Sequence, residues 1–268
     1  MKKNLIVAVC GDESLHRIWL RGKQDFDLFV VYYGDSNGKY KEDGLYYDQA
    51  KGTKFLIIHE MVQKHADIFE KYDAIAIPDD DLYITGSDWS RFFDLFHHYE
   101  MQLAQPAIYG WQATTLTATN PEYIVRYTNW VEIMTPCFTQ HTFQAMKETF
   151  NENSTNWGID FLWVKLLGNP KTGIGIIDDV TAIHTRPCFF GDTYWRNNNN
   201  CNKAIQEIEQ VGEKYGINLQ DLLVYGGIKR TKREYDDQPS EDKFFPFNCE
   251  IMKELIESLR KRKHRTLI

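Results

Sequence analysis

The chain has 268 residues, of which 43% are hydrophobic and 14% aromatic, and its formal net charge is -7. This length is enough for one well-packed α/β domain and does not require two. The acidic balance argues against a general nucleic-acid binder, because such a protein presents a basic face to the phosphates.

The cysteines and the apolar runs indicate a soluble protein of the cytoplasm. No CxxC pair or zinc spacing occurs among the five cysteines, which predicts reduced thiols. The apolar run at the N-terminus is too short for a signal peptide and predicts a buried strand instead. No apolar stretch reaches the length of a membrane span. The cysteines are Cys10, Cys137, Cys188, Cys201 and Cys249.

The N-terminal half alternates apolar runs with segments of helical periodicity. Predicted strands cover residues 4–10, 25–33 and 72–77, and predicted helices cover residues 14–20, 58–69 and 89–99. Ser87 or Asp88 is placed to cap the last of these helices. The alternation predicts an α/β fold with a mainly parallel central sheet and helices on both faces.

The second half of the chain is less regular. Strands are predicted over residues 122–128 and 130–134, a strand pair over 173–185, and helices over 141–150, 161–167 and 211–224. A polar loop is predicted at residues 197–200, and a charged linker at 229–243 leads to an amphipathic helix. Five of the last nine residues are Lys or Arg. This basic tail either contacts anionic lipid at the inner membrane face or is a solvated terminus.

Three consecutive carboxylates follow the predicted strand at residues 72–77. Asp79, Asp80 and Asp81 have the aspartate-x-aspartate spacing that can supply oxygen ligands to Mg²⁺ or Mn²⁺, which then carries a diphosphate. A solvated loop is the alternative, because Asp also favours turns and helix N-caps. The triplet by itself leaves both interpretations open.

The other predicted strands of the N-terminal half also end in polar residues. Ligands of parallel α/β sheets bind beyond the carboxyl ends of the strands, so these residues are expected at one edge of the sheet. We predict that this edge binds the base, ribose and phosphates of a nucleotide. The predicted nucleotide contacts are Cys10, Gly11, Asp12, Tyr33, Asp35, Asp79 and Asp80.

Later carboxylates and one histidine are candidates for chemistry. Asp160 precedes a predicted helix, where it could act as a general base or serve as an N-cap. His184 ends the last predicted strand as either a metal ligand or a structural histidine. Glu132 either contacts an acceptor or pairs with Arg126. Asp178 and its neighbour Asp179 are expected to face solvent in a turn.

Five segments, in this order, resemble a little-characterised family with a glycosyltransferase A-type fold. The segments are FDLFVVYYGD, KYDAIAIPDDDL, RYTNWVEIMTPCF, NWGIDFLW and IIDDVTAIHT. Plant members of this family are labelled lysine-ketoglutarate-reductase trans-splicing related, and bacterial members resemble sugar transferases of surface-polysaccharide clusters. The resemblance covers residues 5–185 and does not extend over the C-terminal third.

The resemblance implies a glycosyltransferase A-like catalytic domain over residues 1–228, with 229–268 as linker, helix and basic tail. It implies that Mn²⁺ or Mg²⁺ binds to Asp79, Asp81 and His184, and that Asp160 is the catalytic base. Trp157 and Gly158 would belong to the acceptor half. The implied partners are a nucleoside-diphosphate sugar as donor and a carbohydrate or lipid-linked acceptor.

Two other classes of function stay open at this point. A metal-dependent phosphohydrolase also places Asp residues at strand ends, but it needs a nucleophilic Asp directly after the first strand, and Asp12 is displaced from that position. An inactive nucleotide- or carbohydrate-binding module would keep the fold without turnover. The retained Asp triplet, Asp160 and His184 argue against such a module.

Overall fold

The computed structural model describes residues 3–111, 114–186, 201–217 and 222–231. Their strands are β1 (Asn4–Cys10), β2 (Phe26–Tyr32), β3 (Tyr46–Gln49), β4 (Ala74–Ala76), β5 (Leu82–Tyr83), β6 (Leu103–Gly110), β7 (Tyr123–Thr128), β8 (Cys137–Thr139), β9 (Ile174–His184) and β10 (Val224–Lys229). Their helices are α1 (His16–Trp19), α2 (Lys54–Lys64), α3 (Ala66–Phe69), α4 (Gly86–His98), α5 (Gln140–Met146), α6 (Ile159–Leu166) and α7 (Cys201–Tyr215). Short 3₁₀ helices lie at Thr115–Thr117 and Lys147–Asn151.

These strands form one sheet in the order β10-β7-β9-β6-β8-β4-β1-β2-β3, with β5 paired to β9. The half that contains β4, β1, β2 and β3 is parallel throughout. In the other half β6 and β9 are parallel, while β7, β8 and β10 run antiparallel to their neighbours. The predicted fold class, an α/β fold with a less regular second half, is confirmed.

Helices cover both faces of the sheet, as its strand pattern requires. All seven residues of β1 are buried, and successive side chains of a strand point to opposite faces. Leu5 and Val7 therefore pack with the side chains of α2, α5 and α6 in one core. Ile6 and Ala8 pack with α1 and α4 in the other.

A capping box fixes the start of α4. The Thr85 hydroxyl accepts a hydrogen bond from the backbone N–H of Asp88, and the Asp88 carboxylate accepts one from the Thr85 N–H. The cap is thus Thr85, and not Ser87 or Asp88 as the sequence predicted. The predicted apolar stripe is buried at Trp89 and Phe93.

Three predicted elements of the second half are wrong. Residues 130–134 form no strand, and residues 173–185 form one continuous strand, β9, instead of a pair. Its Asp-Asp sequence makes a bulge, because Pro106 pairs with Ile177 while Ala107 pairs with Thr181. The helix predicted over 211–224 is α7, which ends at Tyr215.

Asp178 is buried in β9 and does not face solvent. The Arg126 guanidinium donates to both of its carboxylate oxygens, at 2.7 and 2.8 Å. Arg126 therefore pairs with Asp178, so the predicted alternative in which Glu132 pairs with Arg126 is wrong. Asp179 pairs instead with the exposed Arg91.

Several predictions fall outside the described residues. These are the loop at 197–200, the linker beyond 231, the amphipathic helix, the basic tail, Cys188 and Cys249. The division into two domains stays a prediction, because nearly all of the second one lies beyond residue 231. Cys10 and Cys137 are buried free thiols. In the part of the chain that is described, no helix combines the length and the apolar character needed to cross a membrane.

Candidate active site

A cavity of about 330 Å³ opens at the carboxyl ends of β1, β4 and β9. Its wall collects predicted site residues from segments that are far apart in the chain. These residues are Tyr33, Asp79, Asp80, Asp81, Glu132, Trp157, Gly158, Asp160 and His184. The sheet edge predicted from the strand ends is thus the floor of a single concave site.

The short strand β5 places Asp81 beside the end of β9. Leu82 pairs with His184 in an antiparallel register, and the Thr185 hydroxyl donates to the Asp81 carbonyl at 2.7 Å. Asp81 Oδ1 consequently lies 3.4 Å from His184 Nε2. Backbone pairing therefore sets the distance between these two side chains.

The electrostatics of this pair follow from its burial and its hydrogen bonds. His184 Nδ1 donates to the Trp111 carbonyl at 2.5 Å, which turns Nε2 toward Asp81. Burial alone lowers the pKa of His184, but the hydrogen bond and charge of Asp81 outweigh it and raise the pKa to about 9. Burial opposes ionisation of Asp81 too, yet His184 lowers the pKa of this carboxyl.

Asp81 and His184 fit a divalent cation. Asp81 Oδ1 is buried, and its contact with His184 Nε2, at 3.4 Å, is too long and poorly aligned to satisfy it fully. The bond to Trp111 orients the imidazole, as backbone carbonyls do for histidine ligands at metal sites. In the ranges that the structure describes, no three His, Cys, Asp or Glu side chains enclose an ion position. A Mg²⁺ or Mn²⁺ ion bound here would take its remaining ligands from donor phosphates and water, as these ions commonly do.

Asp79 and Asp80 have other partners. Asp79 Oδ1 accepts from the Lys54 ammonium at 2.5 Å. Burial raises the pKa of Asp79, and Lys54 opposes that rise. Asp80 Oδ2 accepts from the Gly11 N–H at 2.7 Å, and its Oδ1 lies 3.9 Å from the Arg186 guanidinium. Burial and the charge of Asp81 raise the pKa of Asp80 to about 7.

Two further buried carboxyl groups line the same cavity. Asp160 lies in the first turn of α6, where its oxygens accept from the Ile133 and Phe161 N–H groups. Burial raises the pKa of Asp160 to about 7, although these two hydrogen bonds act to lower it. Burial and the charge of Asp160 raise the pKa of Glu132 to about 8. Both carboxyl groups therefore exchange protons near neutral pH.

Residues of α7 hold the segment that leads into α6 through hydrogen bonds and close packing. Glu207 accepts from the hydroxyls of Ser154 and Thr155 at 2.7 and 2.6 Å, and from the Thr155 N–H at 2.8 Å. Gly158 has a φ of +89°, and a Cβ there would lie 3.0 Å from Ile208 of α7. Helix α7 thus fixes the backbone from which Asp160 projects.

Four predicted nucleotide contacts are not part of the cavity lining. The Cys10 thiol is buried, which raises its pKa, and it donates to the Ala8 carbonyl. Gly11 reaches the site through its bond to Asp80. Asp12 accepts from Tyr32 and Lys39, and the largely exposed Asp35 pairs with Lys51.

Sequence reasoning missed three residues that shape the site, namely Lys54, Arg186 and Glu207. Arg186 follows the predicted ligand His184 by two positions, and this proximity was a usable signal. Lys54 and Glu207 contact partners far away in the chain, at sequence separations of 25 and 52 residues. Nothing in their local sequence marks these contacts.

Comparison with known proteins establishes the fold. No family model and no curated protein matches the chain. The structure of S. aureus TarS 1–349 with UDP-GlcNAc superposes with a TM-score of 0.53 at 10% identity, covering 82% of this chain and 68% of TarS. GalNAc-T7 with UDP, GalNAc and Mn²⁺ gives 0.52 at 9%, covering 79% of this chain and 48% of its own. This chain thus spans about half of GalNAc-T7, and it has a glycosyltransferase A-type fold.

Proposed function

We propose that the protein is a metal-dependent glycosyltransferase that moves a sugar from a nucleoside-diphosphate sugar to a hydroxyl acceptor. The observation that carries this proposal is the single cavity that joins the Asp81–His184 pair to Asp160 and Glu132. One part of the cavity can hold a metal-diphosphate group, and the other can accept a proton. The two parts correspond to the leaving group and the nucleophile of a sugar transfer.

Asp81 and His184 would hold Mn²⁺ or Mg²⁺, with His184 releasing its Nε2 proton to solvent as the ion binds. The bound ion would supply a Lewis acid for the charge of the leaving diphosphate. Arg186 adds a permanent positive charge to the same part of the cavity. Tyr33 lies in the lining at the end of β2 and is our candidate for contact with the nucleotide. Asp79 Oδ1 already accepts a hydrogen bond from Lys54, so in this proposal Asp79 holds the Lys54 ammonium and is not a metal ligand.

Asp160 is the base in this proposal. Its carboxylate is anchored by two backbone N–H groups and faces the cavity, so it can take the proton of an acceptor hydroxyl. A pKa of about 7 is well suited to a general base at neutral pH. We assign inversion at the transferred carbon, with the acceptor hydroxyl attacking opposite the leaving diphosphate and giving its proton to Asp160.

The geometry favours transfer over phosphate-ester hydrolysis. A phosphohydrolase of this layout would attack through a carboxylate after the first strand. Asp12, the carboxylate nearest that position, accepts from Tyr32 and Lys39 and does not line the cavity. We accordingly assign the site to sugar transfer. The resemblance to sugar transferases of surface-polysaccharide clusters is the basis on which we propose polysaccharide synthesis at the cytoplasmic side of the membrane. The basic tail at 260–268 is the proposed peripheral membrane contact.

Thermal-shift measurements with a panel of nucleotide sugars, each with and without Mn²⁺, test the proposal. A ligand that binds only the folded state raises the Tm, so the donor should give a shift that requires Mn²⁺. Asp81→Asn should abolish the shift and lower transfer at least about 100-fold. Asp67→Asn, at an exposed ion pair with Lys71, is the matched control. Mn²⁺-independent shifts that survive Asp81→Asn would contradict the metal site.

A further inference from the structure

Part of the cavity has a lining that differs from the metal-binding part. We call it the acceptor wall and define it by Trp130, Glu132, Trp157, Asp160 and Phe161. The Trp130 and Phe161 rings pack with centroids 5.7 Å apart and planes inclined by 33°. Flat aromatic surfaces next to carboxyl groups suit a ring that has both apolar C–H faces and hydroxyl edges.

Glu132 has an unsatisfied oxygen at this wall. The residue is only 5% exposed, and its Oε2 atom is buried with no hydrogen-bond partner. Its backbone is fixed, because the Glu132 N–H donates to the Gln105 side chain at 2.6 Å. A buried carboxyl oxygen without a partner is costly, so a fixed one that borders a cavity is a site for a ligand hydroxyl.

Among the described residues of the cavity lining, each cationic side chain already has a carboxylate or carbonyl partner. Among the lining residues that the structure describes, the cationic side chains are Lys54, His184 and Arg186. The Lys54 ammonium already donates to Asp79 and to the Ile133 and Met134 carbonyls. His184 and Arg186 face Asp81 and Asp80. An anionic group beside two buried carboxyls would therefore be desolvated with no cationic side chain free to pair with it directly.

Resting on the proposed transferase activity, we infer that the acceptor wall binds an uncharged sugar ring and discriminates against a phosphorylated one. One hydroxyl of the ring donates to Glu132 Oε2, and an apolar face of the ring packs on the indole of Trp157. A neighbouring hydroxyl is then presented to Asp160. The acceptor sugar itself is thus neutral, whatever larger molecule carries it.

The test uses the full chain with Mn²⁺ and the donor that gives the largest thermal shift. Nucleotide release is measured with methyl glucoside, methyl galactoside and methyl mannoside, and with the 6-phosphate of each. We expect at least one neutral glycoside to stimulate release above donor hydrolysis, and its phosphate to be at least about tenfold poorer in kcat/KM. Equal or better use of the phosphates, or stimulation by none of the glycosides, overturns the inference.

Variants separate this inference from the proposed function. Glu132→Ala should raise the KM for the neutral glycoside about tenfold or more while the Mn²⁺-dependent donor shift stays. Glu122→Gln, at an exposed position just before β7, should leave both unchanged. An unchanged KM in Glu132→Ala overturns the role of Glu132. If no donor raises the Tm of the unmodified protein in the presence of Mn²⁺, the proposed function is contradicted instead.

Discussion

The Nζ atom of Lys54 lies 2.5 Å from Oδ1 of Asp79 and 2.5 Å from the Ile133 carbonyl. One ammonium thereby connects the start of α2 to the Asp triplet and to the segment that carries Glu132. The part of the cavity around the Asp triplet and the acceptor wall share this contact. Their separation is therefore fixed by a side chain that does not itself need to touch a substrate.

Replacing Lys54 by Met should destabilise the protein by about 2–4 kcal/mol, because a carboxylate and several carbonyls lose a buried partner. Urea unfolding measures the change. Lys3→Met is the control, since Lys3 pairs with Asp73 where both side chains are largely exposed. That control should stay within about 0.5 kcal/mol of the unmodified protein. Equal effects of the two substitutions would contradict the linking role of Lys54.

Glu132→Gln should stabilise the metal-free protein at high pH and have little effect at low pH. Burial raises the pKa of Glu132 to about 8, so the folded state keeps a proton that the unfolded state has released. Stability is therefore lost as pH rises from about 4.5 to about 8, and Gln removes this loss. We expect the Tm of the variant to be several degrees higher at about pH 8.5 and nearly equal at about pH 4.5.

The control for this pH profile is Glu122→Gln, at a carboxylate that is 62% exposed in its pair with Lys229. Its Tm should follow that of the unmodified protein at every pH. A Tm difference for Glu132→Gln that is the same at all pH values would show that the carboxyl titrates normally in the folded state.

Glu207→Gln should weaken the support of the acceptor wall. An amide has one accepting oxygen, so its NH₂ group would oppose donors on Ser154 or Thr155, at a cost of about 1–3 kcal/mol. We expect a larger rise in the KM for the acceptor than for the donor, measured by initial rates. Lys214→Met, at the other end of α7, should change neither KM. A uniform loss of kcat alone would argue for a different role.

Asp178→Asn and Asp179→Asn form a pair of neighbouring substitutions with unequal expected effects. The Asp178 carboxylate is fully buried against Arg126, and its loss leaves a buried guanidinium uncompensated, at about 3–5 kcal/mol. Asp179 pairs with Arg91, which is 56% exposed, so its change should cost no more than about 1 kcal/mol. Chemical denaturation of both variants measures the difference. Similar losses of stability would contradict the buried position of Asp178 in the bulge.

The parts of the fold that the sequence predicts well are those with simple burial patterns. Strand β1 is apolar throughout because it is buried on both faces. Strand β6 escapes prediction because it contains Pro106 and a buried Gln105, which weaken the strand pattern. Strand β3 lies in a polar segment and depends on its pairing with β2. In β9 the neighbours Asp178 and Asp179 resemble a turn, although tertiary pairing with Arg126 holds the first of them inside.

The candidate site was predictable where chemistry coincides with a strand end. Asp81 and His184 follow or end strands, and both line one cavity with Asp160 and Glu132. Their roles in binding and catalysis stay predictions. The contacts of Lys54 and Glu207 could not be predicted, because a charged residue in a helix has the same local pattern whether it faces solvent or a distant loop.

The pairing of β5 with β9 has a consequence for the order of assembly. The Thr185 hydroxyl and the Asp81 carbonyl that it contacts are 104 positions apart, and β9 lies in the interior of the sheet between β6 and β7. Contacts across such long separations form late in folding, because the loop entropy is lost before the contact is gained. A nascent or truncated chain that lacks β9 has no partner for Asp81 at this position. The Asp81–His184 pair would thus form only once β9 has joined the sheet, so the site is a late product of folding.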